Sequence, residues 1–190
     1  MGPATDYDLG YFELALGELE SYLLSKDLYW PRKALVAVGG KTYPQLTIGG
    51  LLMALVCVRA KTQAVSIESQ LIKLESQLER LQMQWRAAWD VKARWEFRSR
   101  LRQWTTYLKE VNLDPGEFGA YYHFQVRWRA ILELLRVDIG DVDSQDLELL
   151  QEADSILQTR FISGEFIWDL ELQPGFPPDD YWFLWGNLRE

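Results

Sequence analysis

Residues 67–111 read IESQLIKLESQLERLQMQWRAAWDVKARWEFRSRLRQWTTYLKEV. Apolar side chains recur at Ile67, Leu71, Leu74, Leu78, Leu81, Trp85, Trp89, Ala93, Phe97, Leu101, Trp104, Leu108 and Val111, twelve steps over 44 residues. A mean step of about 3.67 is helical, nearer the eleven-residue repeat than the 3.5 of a left-handed coiled coil. The first six positions, Ile67, Leu71, Leu74, Leu78, Leu81 and Trp85, keep strict four-three spacing and form a candidate self-association seam. Neither glycine nor proline occurs between residues 51 and 114.

Length makes this stretch decisive. Such a helix would span about 70 Å, whereas a compact chain of this size has a diameter on the order of 40 Å. The helix must break, with residues 89–94 the expected place, or the molecule is elongated, or the excess reaches into a partner. An elongated helical protein is the expectation.

Working outward, residues 5–26 show Leu9, Phe12, Leu16, Leu19 and Leu23 at helical spacing, with Thr5 or Asp6 as N-cap. Residues 32–47, with Gly39-Gly40 and Tyr43-Pro44, predict a small β-hairpin or irregular lobe. Residues 62–66 interrupt the next helical stretch, with Ser66 as a cap. Asp114-Pro115-Gly116 is a stop and turn. A helix follows to Val137, with Val126, Ile131, Leu134 and Leu135 inward. Asp143 or Ser144 caps another to about Phe161, with Leu147, Leu150, Ile156 and Leu157 inward. Residues 165–173 alternate as a strand that would pair with residues 34–47, and Asp179-Asp180 would cap a short terminal helix over residues 181–185. The predicted fold is all-α in the main: one domain over residues 1–190, an elongated bundle of four or five helices with one long member. A small β lobe drawn from residues 32–47 and 165–173 completes it.

Composition narrows the function classes. The chain has 190 residues, 48% hydrophobic and 25% charged, with a formal net charge of -8. This is globular, and its net sign opposes a general coat for nucleic acid or anionic membrane. The single cysteine, Cys57, sits in an apolar run and reads as a small buried hydrophobe. The start of the chain lacks the basic, then apolar pattern of a signal peptide. The longest apolar run, residues 46–58, falls short of the ~20 residues of a membrane span. A cytoplasmic protein is expected.

Catalytic chemistry is poorly provided for. Gly40-Lys41-Thr42 resembles the end of a phosphate loop, but Leu35 stands where the pattern needs glycine, and Pro44 opposes the helix that must follow. The one histidine, His123, leaves zinc or di-iron sites without ligands. Glu148 and Glu152 share a helix face with no matching pair elsewhere. No Gly-x-Ser-x-Gly is present. No catalytic residue, cofactor or metal is assigned.

Charge segregation is the least ordinary feature. Between residues 80 and 109, Arg80, Arg86, Lys92, Arg94, Arg98, Arg100, Arg102 and Lys109 face only Asp90 and Glu96, with Trp85, Trp89, Trp95 and Trp104 interleaved. From residue 138 onward thirteen acids face only Arg160 and Arg189. Arginines neutralising phosphates beside stacking tryptophans would make Arg86, Arg94, Trp95, Arg98 and Arg102 an anion or nucleic-acid face. The structural reading is stronger, because Trp85, Trp89 and Trp104 fall on the apolar stripe and only Trp95 lies off it. The arginines would then pair with the acidic C-terminal third of the same chain or of a second subunit, and the aromatic tail over residues 174–190 would cover the core. The expected function is a non-enzymatic interaction or scaffold protein, self-associating or docking a protein partner through the long helix. The alternative is a nucleic-acid binder using residues 80–109; no membrane partner is expected.

Overall fold

The computed structural model describes residues 3–31, 42–61 and 65–189. Seven α-helices and a two-stranded sheet lie within them: α1 (Pro3–Leu24), α2 (Ile48–Lys61), α3 (Val65–Gln84), α4 (Arg86–Leu113), α5 (Pro115–Gly119), α6 (Tyr122–Ile139), α7 (Ser144–Gln158), β1 (Phe161–Phe166) and β2 (Trp185–Leu188). The mainly helical class with a small β element is as the periodicity predicts. Contacts divide the chain into two compact units, residues 1–96 and 97–190, the boundary falling inside α4.

The long apolar stripe is divided at Trp85, not at residues 89–94. The ladder still runs through the junction: Trp85 N–H donates to Leu81 and Trp89 N–H to Trp85, both at 2.9 Å. Trp89 and Ala93 are buried, so the region expected to break is packed core.

In the first unit α1 packs on α2 and α3. The predicted stripe of α1, Leu9, Phe12, Leu16, Leu19 and Leu23, is buried. The helix begins at Pro3, upstream of the expected caps Thr5 and Asp6, and proline is well suited to a first helical position. The start of α2 is held by two side chains. Thr47 Oγ1 accepts from Gly50 N–H at 3.0 Å, and Glu96 Oε2 from Gly49 N–H at 2.7 Å. A buried carboxylate at a helix N-terminus satisfies free N–H groups and meets the positive end of the dipole. Trp30 and Leu46 form an isolated antiparallel bridge. The rest of the predicted hairpin, residues 32–41 with Gly40-Lys41, lies outside the described residues, as do residues 62–64 of the expected interruption.

In the second unit Asp114 caps α5, accepting from Glu117 N–H at 3.0 Å, with Pro115 next to it. The single helix expected from residue 115 or 117 is broken at Ala120-Tyr121, giving α5 and α6. Val126, Ile131 and Leu135 are buried as predicted, and Gly140, at φ 71°, ends α6 in the left-handed region. Asp143 caps α7, accepting from Gln145 N–H at 3.0 Å.

Two predictions about the C-terminal region are corrected. The strand is Phe161–Phe166 rather than residues 165–173, and it pairs antiparallel with Trp185–Leu188 (Phe161 opposite Leu188); residues 34–41 of the expected partner lie outside the described residues. Leu170, expected in the strand, begins a 3₁₀ turn to Gly175. The expected terminal helix is a single 3₁₀ turn, Trp182–Leu184, that leads into β2. Six residues of strand partnered by four leave room for a close crossing: Gly186, at φ 151°, lies where a Cβ would stand 2.1 Å from Ile162 O, so only glycine fits. The aromatic tail covers the core of its own unit, with Phe176, Phe183 and Leu184 fully buried.

Candidate functional site

The basic, tryptophan-rich segment is largely committed to structure. Trp89 and Trp104 have 0% exposure, Trp85 is half-buried, and Trp95, the residue off the stripe, is 45% exposed. In the first unit Arg86 pairs with Asp90 at 3.0 Å. Lys92 is buried over the Tyr22 ring at 4.6 Å, with Ser25 Oγ and the Asp27 carbonyl as acceptors. Burial pulls its pKa below the usual lysine value, while Asp27 works in the opposite direction. Arg94 is exposed. In the second unit Arg98 reaches the acidic third of the chain, meeting Asp146 at 2.8 Å and Asp143 at 3.9 Å. The candidate anion face is thus split between the two units, and Arg86 and Arg98 are already neutralised.

Half of the candidate self-association seam is buried within the chain. Ile67, Leu71 and Leu78 are buried, while Leu74, Leu81 and Trp85 are half-buried. These apolar positions face the chain's own core, as α3 packs on α1.

A different surface emerges in the second unit, where α4 and α7 run side by side. Arg98 meets Asp146, and fourteen residues further on Asn112 Oδ1 accepts from Arg160 Nε at 2.9 Å. Both pairs are separated by 48 residues in sequence. The two helical segments therefore run parallel in one register, pinned at both ends over about 21 Å. Between the pins lies a cleft of about 350 Å³. The same offset sets Leu101 with Leu149, Thr105 with Ala153, and Leu108 with Ile156. Leu101, Leu108 and Ala153 are buried and form the floor, whereas Leu149 and Ile156 are 48% and 37% exposed. Arg102 and Lys109 rise on the α4 side and Glu152 on the α7 side, all exposed and, among the described residues, without an ion pair. Ile156 was expected inward; the buried stripe of α7 is Leu150, Ala153 and Leu157, and Ile156 lies one position outside it.

Behind this surface, α6 and α7 are joined by a buried ion-pair network. Arg129 Nε and Nη2 donate to both oxygens of Asp154 at 2.8 and 2.9 Å, and Nη1 to Glu133 at 3.2 Å. Glu133 also accepts from Arg136 Nε at 3.0 Å. Burial pushes the Glu133 carboxyl up, but the hydrogen bond from Arg136 and the charge of Arg129 outweigh it and hold the pKa below the ordinary value. A depressed folded pKa gives stability that is present above the unfolded value, about 4.3, and lost as pH falls through the folded one. Melting temperature is therefore expected to drop in acid below about pH 4.3, with a shallower drop in Glu133→Gln. Parallel acid profiles for the two chains would show that Glu133 does not titrate on unfolding.

No protein-family model, curated protein or solved structure matches this chain. Chemistry must be read from the side chains. Burial pushes the hydroxyls of Tyr22, Tyr107 and Tyr122 well above the ordinary tyrosine value and that of Tyr181 up to about 12, the wrong direction for a phenolate base. His123 is exposed against Phe124, and Cys57 is buried. Among the described residues no three His, Cys, Asp or Glu side chains group as metal ligands, and no helix is long and apolar enough to cross a membrane. A second cleft on α4, about 450 Å³ and reaching Gln125 and Trp128 of α6, is lined mainly by polar side chains.

Proposed function

We propose that this chain is a non-enzymatic helical interaction protein that docks a protein partner through its long helix, in the groove between α4 and α7. The observation that carries this reading is the pair Leu149 and Ile156, left half in water over an apolar floor and flanked by uncommitted charges. Exposed apolar side chains in a formed concavity, bordered by polar ones, are the usual composition of a docking surface. The self-association version loses support from the burial of Ile67, Leu71 and Leu78. The nucleic-acid alternative keeps the exposed Trp95 and Arg102, but Trp89 and Trp104 offer no stacking surface.

The test is a Leu149→Glu, Ile156→Glu chain compared with the native one in a pull-down at low salt, with absorbance recorded at 260 and 280 nm. The native chain is expected to retain proteins that the variant loses, while both keep the same circular dichroism. Identical captured proteins would remove the groove from the reading. Captured material absorbing at 260 nm and released by about 1 M salt would put nucleic acid in the partner's place.

A further inference from the structure

Resting on the docking reading, we propose that the α4/α7 groove takes one amphipathic helix of about four turns, bearing an apolar ridge and an acidic flank. The length follows from the two pins. Arg98–Asp146 and Asn112–Arg160 close the groove fourteen residues apart, about 21 Å, the length of four helical turns. The ridge follows from the anchors. Leu149 and Ile156 are seven residues apart on one face of α7, so their exposed sides repeat every two turns, about 10 Å. A helix laid alongside with apolar residues at i, i+4 and i+7 meets that repeat, and an extended strand does not.

The flank follows from the charges. Arg98 and Asp146 neutralise each other, which leaves Arg102 and Lys109 on the α4 wall against Glu152 on the α7 wall. In a chain of net charge -8 this is a local excess of positive charge beside an apolar trough. A helix with carboxylates along one edge can turn that edge toward α4 and offset both cations; a basic helix finds one carboxylate.

The probe is a synthetic, end-capped peptide of about 15 residues with leucines at i, i+4 and i+7, Glu along one flank and Gln along the other. Its comparison peptide carries Lys in place of Glu. Anisotropy titrations with the full chain are expected to show the Glu peptide binding about threefold to tenfold more tightly, as two part-exposed ion pairs give. Arg102→Glu with Lys109→Glu should reverse the order, and Arg102→Gln with Lys109→Gln should remove the preference for the Glu peptide. Equal binding of the two peptides to the native chain, or an unchanged order in the reversed variant, overturns the proposal. If neither peptide binds while the Leu149→Glu, Ile156→Glu chain still loses a captured protein, the docking reading stands and the helical occupant does not. A two-chain mass in light scattering without peptide, abolished by that same pair of changes, would place a second copy in the groove and overturn it as well.

Discussion

Arg129→Met is expected to lower the stability of the protein by about 3–5 kcal/mol, the range for breaking a buried ion pair from one side. Arg129 is 5% exposed, holds Asp154 through two parallel N–H donors, reaches Glu133, and lies 4.5 Å from the Phe183 ring centre. Methionine fills much of the volume but donates nothing. Asp154 would lose both its donors from Arg129, and Glu133, itself 4% exposed, would keep only Arg136. Most of the loss therefore comes from carboxylates left without donors, not from the attraction removed. It follows that replacing the charged set together, Arg129→Met with Glu133→Gln and Asp154→Leu, should recover part of the loss. Arg136→Met, whose side chain is half in water, should cost about 1 kcal/mol or less. Urea unfolding followed by tryptophan fluorescence measures all three. An Arg129→Met midpoint equal to that of Arg136→Met would mean the network does not hold α6 to α7.

How much of this could be read beforehand depended on the distance over which the information acts. Local signals were legible: the stripe of α1, Asp114 with Pro115, Asp143 before α7, and Trp95 as the indole off the stripe. Each is set by residues within one or two turns. The strand pairing was not. Residues 165–173 alternate convincingly, but alternation names no partner, and residues 161–166 are joined to the far end of the chain through the Gly186 crossing. Nor was Glu96 legible. In sequence it is a stray acid among arginines; in the fold it accepts from Gly49 N–H, 47 residues away. Lys92 is likewise one of the basic residues of this segment in sequence, and in the fold it is buried on Tyr22.

The groove was hidden for a related reason. In sequence Arg98 and Arg102 are alike, two cations of one segment, and the structure gives them different work: Arg98 pins α7, and Arg102 borders the cleft. The second wall is invisible in sequence because helical spacing puts Ile156 on the inward side and gives Leu149 no role. Leu147, Leu149, Leu150, Ile156 and Leu157 are too many apolar positions for one stripe of a fifteen-residue helix. A helix with more apolar positions than one neighbour can cover has a second face to place, and that surplus was the available signal.

The tryptophans provide the sharpest quantitative contrast. Trp104→Ala is expected to cost about 3–5 kcal/mol, the range for emptying a large aromatic site, because Trp104 is fully buried and Tyr107 lies 5.7 Å away, ring to ring. Its indole Nε1 is buried with no hydrogen-bond partner among the described residues. Such an N–H adds desolvation without a compensating bond. Trp104→Phe, which removes that group and keeps most of the ring, should therefore lose well under half of what alanine loses. Trp95→Ala, at a surface position, should stay within about 0.5 kcal/mol of native. Denaturant midpoints for the three chains rank them directly. If Trp95→Ala matched Trp104→Ala, the apolar stripe would have been assigned to the wrong tryptophans. If Trp104→Ala stayed near native, the indole would not be core, and the case against base stacking on this helix would fail with it.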